Sequence, residues 1–471
     1  MRMSLLMVLF TAFVFLVPPP DKLEADDVFV LFDTTGFEKH IEDAAAGAKI
    51  FISLLWADDR VGLAVLGDNY TVLAPLSKPA DTIGIMGALD NLAPSGSCSK
   101  KLTGAINDTV NYLSSKNLLD NGLSIVLFVG QSCKEKPDEK DIETLFETLQ
   151  NKQIKIYGMG KVKNNPVVEV IAESGGLFIP VSENESYASN GLILYEAFKS
   201  PDLIPFERGK FFVDESIYDI TLVSEKQSKD NMFFIIPPNS KKYTKKEHPE
   251  NVTWYSYNRY EIIKIANPQY GMWNLQLSTT KENRAYVNSS LKIMSSFDSR
   301  YVPVKKNIPF KAWLKMDDLY IKNPGILKSM EFKILAAKKD EMETETNLHR
   351  GKNGFLEGVF LPSGEGLYRI ILSAAGNSLV RGKAFIVQAE KELHGMYPGA
   401  KRKNKKEMTF VDAVMVFLFI NLIFLVAAWA YMRKETIEDF IYQISHSDEI
   451  VNMIGFIHSL LDKRKQVHKH G

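Results

Sequence analysis

Between residues 26 and 200, short apolar runs alternate with stretches whose apolar residues recur every three or four positions. Val28–Phe32, Val61–Leu66, Leu123–Val129, Ile154–Gly158 and Leu177–Val181 are short and rich in β-branched or aromatic residues, the pattern of strands buried on both faces. Asn69–Leu73 follows the second run closely and reads as its hairpin partner. Between these runs, Glu38–Leu55 places Ile41, Ala45, Ala48, Ile52 and Leu55 on one helical stripe. Leu102–Leu113, Asp141–Asn151 and Pro166–Ser174 also have helical spacing. Strand and helix in alternation predict a doubly wound α/β domain over 26–200, with right-handed crossovers.

The period changes near Pro201. Over 206–300 the apolar segments are short and alternating: Asp219–Val223, Met232–Ile236, Arg259–Ile265, Gly271–Leu277 and Ser289–Met294. Turn-formers such as Pro237-Pro238-Asn239 and Asn267-Pro268 separate them, which predicts a β-sandwich module. A second, immunoglobulin-like module is expected over 301–390, from Phe310–Leu314, Met330–Ala336, Leu356–Phe360, Leu367–Ser373 and Lys383–Val387. Lys338–Lys352 is polar and reads as a long loop inside it.

The ends carry two longer apolar runs. Arg2 followed by Leu5–Val17 and a triple proline is the build of a secretory signal over 1–20. After a basic stalk over 391–409, residues 410–432 are long enough to cross a ~30 Å hydrocarbon core as a helix, with Trp429 and Tyr431 as interface anchors. Basic residues flank both ends of this span. Read alone, Lys401–Lys403 with Lys405 and Lys406 would hold the N-terminal flank in the cytoplasm, but a cleaved signal places that flank outside, and the signal decides the assignment. The expected topology is single-pass type I at the cell membrane, with the N-terminal part extracellular and 433–471 a cytoplasmic helical tail. Asn421 is a polar residue in mid-span that can pair with another helix. Asn-x-Ser/Thr acceptors at Asn69, Asn107, Asn184, Asn251 and Asn288 all precede the span, as a glycosylated ectodomain requires.

The formal net charge is +0, so no bulk field argues for nucleic acid as a partner. Cys98 and Cys133 are the chain's cysteines. An even pair in an exported chain points to a disulfide, with two free buried thiols as the alternative.

The candidate chemistry sits where the first apolar run ends, in Asp33-Thr34-Thr35-Gly36-Phe37. A buried parallel strand delivers such a carboxylate to the rim of an α/β sheet, where ligand sites lie. An Asp-x-Thr pair there supplies hard oxygen ligands for a divalent cation. Alternatively, Asp33 caps the first helix through its free backbone N–H groups. The segment resembles the first metal-site loop of von Willebrand factor type A domains, Asp-x-Ser/Thr-x-Ser, with Phe37 where the second serine stands. The fuller resemblance is to the type A domains of hemicentin-like extracellular proteins and covers roughly Val28–Leu314. There the second loop corresponds to Ser95-Gly96-Ser97-Cys98, and a Pro-Gly-x-Trp turn corresponds to Asn267-Pro268-Gln269-Tyr270-Gly271-Met272-Trp273. The resemblance implies a degenerate metal site of Asp33, Thr35 and Ser97. Ser97 stands where that family has aspartate, and Gly130 where it has another. No resident cofactor is expected beyond weak Mg²⁺ or Mn²⁺ binding. It also places Cys98 and Cys133 in neighbouring rim loops, where a disulfide would tie together what an ion otherwise bridges.

The expected function is protein binding or adhesion at the cell surface, toward an extracellular or membrane protein ligand. One alternative is an accessory subunit of a larger membrane complex, held through the ectodomain and Asn421. The other is an aspartyl phosphotransfer enzyme using Asp33, but phosphatase loops of that kind need a second aspartate where Thr35 stands. No His-Glu-x-x-His, Walker or Gly-x-Ser-x-Gly motif occurs, so the chain is expected not to be an enzyme.

Overall fold

The computed structural model describes residues 26–391, apart from 38–39, 79–82, 96–101, 120–121, 131–138, 162–165, 207–208, 240, 278–279, 318, 340–343, 352–353 and 377–378. All of them belong to the first of two units, Met1–Met396. The expected signal, nearly all of the stalk, the membrane span and the tail lie outside the described residues. Among the described residues no helix is long and apolar enough to cross a membrane.

The α/β domain runs β1 (Asp27–Asp33), α1 (Ile41–Leu54), β2 (Arg60–Leu66), β3 (Tyr70–Ser77), α2 (Ile83–Asp90), α3 (Leu102–Ser115), β4 (Ser124–Val129), α4 (Glu139–Lys152), β5 (Lys155–Gly160), α5 (Pro166–Glu173), β6 (Phe178–Pro180) and α6 (Tyr187–Lys199). Its sheet has the order β3-β2-β1-β4-β5-β6, parallel except for the β2–β3 hairpin. This is the doubly wound arrangement expected from the alternating pattern. Every residue of β1 and β4 is buried, because helices cover both faces of the sheet.

Helices α1 and α6 lie together on one face. They approach at Gly47 and Gly191, where a Cβ on Gly191 would stand 2.5 Å from the Gly47 carbonyl oxygen. The two backbones touch, and only glycine permits that. Helix α1 is buried almost all round, including Lys49, whose ammonium pairs with Asp90.

The rest of the described chain is β-rich: β7 (Asp202–Ile204), β8 (Lys210–Val213), β9 (Ile217–Lys226), β10 (Phe233–Ile236), β11 (Val252–Tyr257), β12 (Tyr260–Ala266), β13 (Gly271–Leu277), β14 (Thr280–Ser289), β15 (Leu291–Ser295), β16 (Tyr301–Pro303), β17 (Ile308–Met316), β18 (Leu319–Tyr320), α7 (Pro324–Lys328), β19 (Glu331–Lys338), β20 (Thr344–Asn347), β21 (His349–Arg350), β22 (Leu356–Phe360), β23 (Gly366–Gly376) and β24 (Leu379–Glu390). The polar stretch read as a loop over 338–352 contains two short strands, β20 and β21. Their residues are exposed, so no apolar alternation marks them.

Two sandwiches are present, but they share a sheet. One sheet runs β11-β12-β9-β14-β7-β24-β23-β19-β20, with β16 alongside β24. It passes through the module boundary expected near residue 300. The short strand β7 makes the join, pairing with β14 on one side and β24 on the other. A three-stranded sheet, β10-β13-β8, covers one half, around Trp273, Phe211, Ile235 and Ile263. The sheet β15-β17-β22-β21 covers the other half, around Phe310, Phe332, Ile370 and Phe385.

The opposite face of the long sheet carries the α/β domain. Strand periodicity sorts the residues between these partners. On β14, Ala285 and Val287 enter a sandwich core, while Tyr286 joins the core of the α/β domain. On β24, Phe385 and Val387 face the second sandwich, and Ala384 and Ile386 face α6 and its neighbours. One continuous apolar cluster therefore links the α1 and α6 helices to strands of both sandwiches.

A charged group sits inside this junction. Glu196 of α6 is fully buried. The Arg369 guanidinium on β23 donates to it through Nε and Nη2, each at 2.8 Å. Arg284 on β14 lies 3.1 Å away, and the Tyr286 hydroxyl donates at 3.0 Å. Burial pushes the Glu196 carboxyl up, but Arg284 and Arg369 outweigh burial and hold it at about 2. One carboxylate thus ties the α/β domain to a strand from each half of the long sheet. Lesser ties lie around it: Ser53 with Tyr257 at 2.9 Å, Lys264 donating to the Leu55 carbonyl at 2.5 Å, and Lys339 with Glu185 at 2.7 Å.

Candidate functional site

The rim at the C-terminal ends of β1 and β4 is the site the sequence singles out. Asp33 is the last residue of β1 and lies between Leu66 and Val129 in register. Its side chain does not cap a helix. Helix α1 begins only at Ile41, with His40 before it and no side-chain cap. Instead the Thr35 backbone N–H donates to Asp33 Oδ1 at 3.0 Å, and the Thr35 hydroxyl donates to the same oxygen at 2.7 Å. The strand therefore ends in an Asx turn, the local alternative such residues offer to helix capping.

The loop after Asp33 folds inward. The Thr34 hydroxyl donates to the Leu66 carbonyl at 3.0 Å, and Ser95 pairs with the Thr34–Thr35 segment through its backbone N–H at 3.1 Å. Ser95 Oγ donates to Asp68 at 2.8 Å. Gly36 takes φ +70°, a left-handed turn that drives Phe37 into the core. There the Phe37 ring meets Phe32 at 5.4 Å and Tyr187 at 5.2 Å, and is 1% exposed. The Tyr187 hydroxyl donates across the rim to the Val129 carbonyl at 3.1 Å.

This inward loop occupies the space beside Gly130, where the sequence resemblance implies an aspartate. A Cβ on Gly130 would stand 2.2 Å from the Thr35 carbonyl oxygen and 3.0 Å from the Phe37 ring. No side chain of any kind has room there. The Thr35 hydroxyl, a candidate cation ligand, is turned toward Asp33. Phe37, which the sequence places beside an ion, instead forms part of the core. Ser97, Cys98 and Cys133 lie outside the described residues. Among the described residues no group of three or more His, Cys, Asp or Glu side chains is placed to hold a metal ion. Asp33 and Thr35 are the described oxygen donors of the expected set, and with Gly130 closed to any carboxylate they are a poor match for an octahedral Mg²⁺ site.

Burial raises the Asp33 carboxyl to about 6, against the two Thr35 hydrogen bonds that lower it. A carboxyl raised in the folded state gives stability that is present below its unfolded value and is lost as pH rises through about 6. Asn in its place keeps the acceptor for Thr35 and removes the buried charge. Asp33→Asn is therefore expected to raise unfolding free energy at pH 7.5 by about 1–3 kcal/mol, and to flatten the stability profile between about pH 4 and 6. Urea denaturation of the full chain across that range checks this. A loss of stability at pH 7.5 would mean the carboxylate has a partner that the Thr35 turn does not account for.

The glycosylation acceptors differ in setting. Asn69, Asn184 and Asn251 are exposed, although the Asn251 amide donates to the Ala266 carbonyl at 2.6 Å. Asn107 is in α3, and its triplet partner Thr109 is buried with its hydroxyl on the Ala105 carbonyl. The Asn288 amide donates to Asp219 at 3.1 Å, and the residue lines a polar cleft of about 210 Å³ with Asp59, Lys199, Asp202 and Lys383.

Several solved structures are similar to parts of this chain, at low scores. An aerotolerance-related membrane protein from Bacteroides fragilis, with multiple mutations to serines, is 14% identical over 37% of this chain and 98% of its own, with a TM-score of 0.29. A von Willebrand factor type A protein from Catenulispora acidiphila is 8% identical over 78% of this chain and 67% of its own, at 0.32. The SpRpn10 VWA domain is 18% identical over 35% of this chain and 93% of its own, at 0.30. The doubly wound fold is given by the strand order β3-β2-β1-β4-β5-β6. No protein-family model matches the chain, and no curated protein does.

Proposed function

We propose that this chain is a single-pass, type I cell-surface glycoprotein that binds another protein through a divergent von Willebrand type A ectodomain, without depending on a high-affinity metal ion. The described part of the rim is the observation that supports it most: Phe37 is in the core, Asp33 Oδ1 is engaged by Thr35, and Gly130 has no room for a carboxylate. The doubly wound sheet has a form that presents ligands at its rim, and the Thr35 backbone leaves no room for a side chain at Gly130. The ligand is an extracellular or membrane protein, and the action is adhesion, not catalysis.

The test is aggregation and matrix capture by cells displaying the full chain, with EDTA and with Mg²⁺. Aggregation or capture that is equal in both conditions is the expected result. Loss of binding in EDTA would restore a metal-dependent site, and no binding in either condition would remove the adhesion reading. Asn421 in the expected membrane span favours a second reading, an accessory subunit held in a larger membrane complex. On that reading, a partner co-purifies with the full chain and is lost with Asn421→Leu.

A further inference from the structure

We propose that a basic, aromatic-walled cavity on the second sandwich receives an acidic peptide segment anchored by a bulky apolar side chain. The cavity measures about 700 Å³ and lies among β17, β18, α7 and the β21–β22 hairpin. Its size falls within the range of established ligand pockets. Trp313 of β17 forms one wall, with the Phe355 ring edge-on at 5.6 Å and the Tyr320 ring at 6.2 Å. Leu327 of α7 and Leu356 of β22 supply buried aliphatic surface.

Among the described residues that line the cavity, the charged ones are Lys322, Lys328 and Arg350, all basic. Arg350 donates to the Lys328 carbonyl at 3.4 Å, and the Lys322 ammonium stands 6.0 Å from the Tyr320 ring centre. None of these contacts neutralises a cation. Glu357, on the neighbouring strand, is paired with Lys311 at 3.6 Å. Apolar walls and three cations together describe an occupant with an apolar body and a negative charge.

Ile326 of α7, next to the lining residue Leu327, is 47% exposed. A small organic anion would leave it uncovered, whereas a peptide reaches both the cavity and this neighbouring side chain. This inference rests on the protein-binding reading above and assigns the surface that reading lacks.

The experiment measures fluorescence anisotropy of labelled peptide pools with the detergent-solubilised full chain. One pool has Asp or Glu around a central Phe. A second replaces Phe with Gly, and a third replaces the acids with Lys. Saturable binding of the first pool, at least tenfold tighter than of the other two, is the expected result. Combined Lys322→Glu, Lys328→Glu and Arg350→Glu substitutions, all at exposed positions, should abolish it. Trp313→Ala removes one apolar wall of the cavity and should weaken binding about fivefold. Three results overturn the proposal: equal binding of the Lys pool, binding unchanged by the triple substitution, or tighter binding of phenylacetate or of phosphatidylserine vesicles than of the acidic pool. Cell aggregation is scored separately on the same triple variant. Aggregation absent from the unaltered chain that still binds the acidic pool removes the adhesion reading alone, and aggregation without acidic-pool binding removes the cavity proposal alone.

Discussion

Glu196→Gln is expected to lower the stability of the described unit by about 3–5 kcal/mol, the cost of leaving buried cations without their counter-charge. Glutamine keeps the shape and one acceptor but cannot balance Arg284 and Arg369, both of which face the buried side chain. Thermal unfolding of the full chain, followed by circular dichroism and by proteolysis at the α/β boundary, measures this. Replacing Glu196, Arg284 and Arg369 together with methionine should recover most of the loss, because the apolar junction around them is already continuous. If the glutamine variant unfolds at the unaltered temperature, the carboxylate is not what ties the domain down. The pH dependence has a definite sign. The carboxyl is held at about 2, below its ordinary range, so its contribution is full above the unfolded value near 4.3 and is lost as pH falls through about 2. Glu196→Gln should remove that acid slope.

Gly130→Asp is the second large effect expected. It introduces the carboxylate that the sequence resemblance expects at this position, and so tests whether the rim lacks only a ligand. The Cβ would overlap the Thr35 carbonyl at 2.2 Å, so the β1 loop must move before any side chain fits. The expected result is a stability loss of about 1–3 kcal/mol or more, with no Mg²⁺ binding by calorimetry. Gly130→Ala should lose nearly as much, since backbone contact and not charge is the cause. Saturable Mg²⁺ binding in Gly130→Asp would show that the rim is open and only short of a carboxylate.

The α/β domain was legible because its central strands are buried on both faces and read as unbroken apolar runs. The helix α6 was not, although it is the centre of the junction. It is buried nearly all round and carries no polar stripe, so neither helical periodicity nor strand alternation singles it out. Glu196 within it reads as an ordinary solvated charge until Arg284 and Arg369, distant in sequence, are seen around it. The same limit hid the shared sheet. Alternation located β9, β12 and β24 but missed β14 (Thr280–Ser289); both faces of β9 and β24 are covered, and a pattern of two apolar faces does not say which partner covers each. β7, three residues long, was too short to register, yet it joins the two halves. At the rim, the sequence placed Asp33 correctly at a strand end. The turn that redirects Phe37 depends on Gly36 at positive φ, and glycine alone does not announce which way a loop will fold.

The position of β24 has a mechanical consequence. It is the last described strand, yet it lies inside the sheet, held along eleven residue pairs by β23, by β7 on its other side, and by β16 running parallel beside its end. Tension applied at residue 390 along the strand loads those rows of hydrogen bonds in shear, many at once, rather than peeling them one at a time from an edge. A chain pulled from that end would resist extraction until whole rows gave way together. The Glu196 contacts would carry part of the load across to the α/β domain, since Arg369 sits on the neighbouring strand.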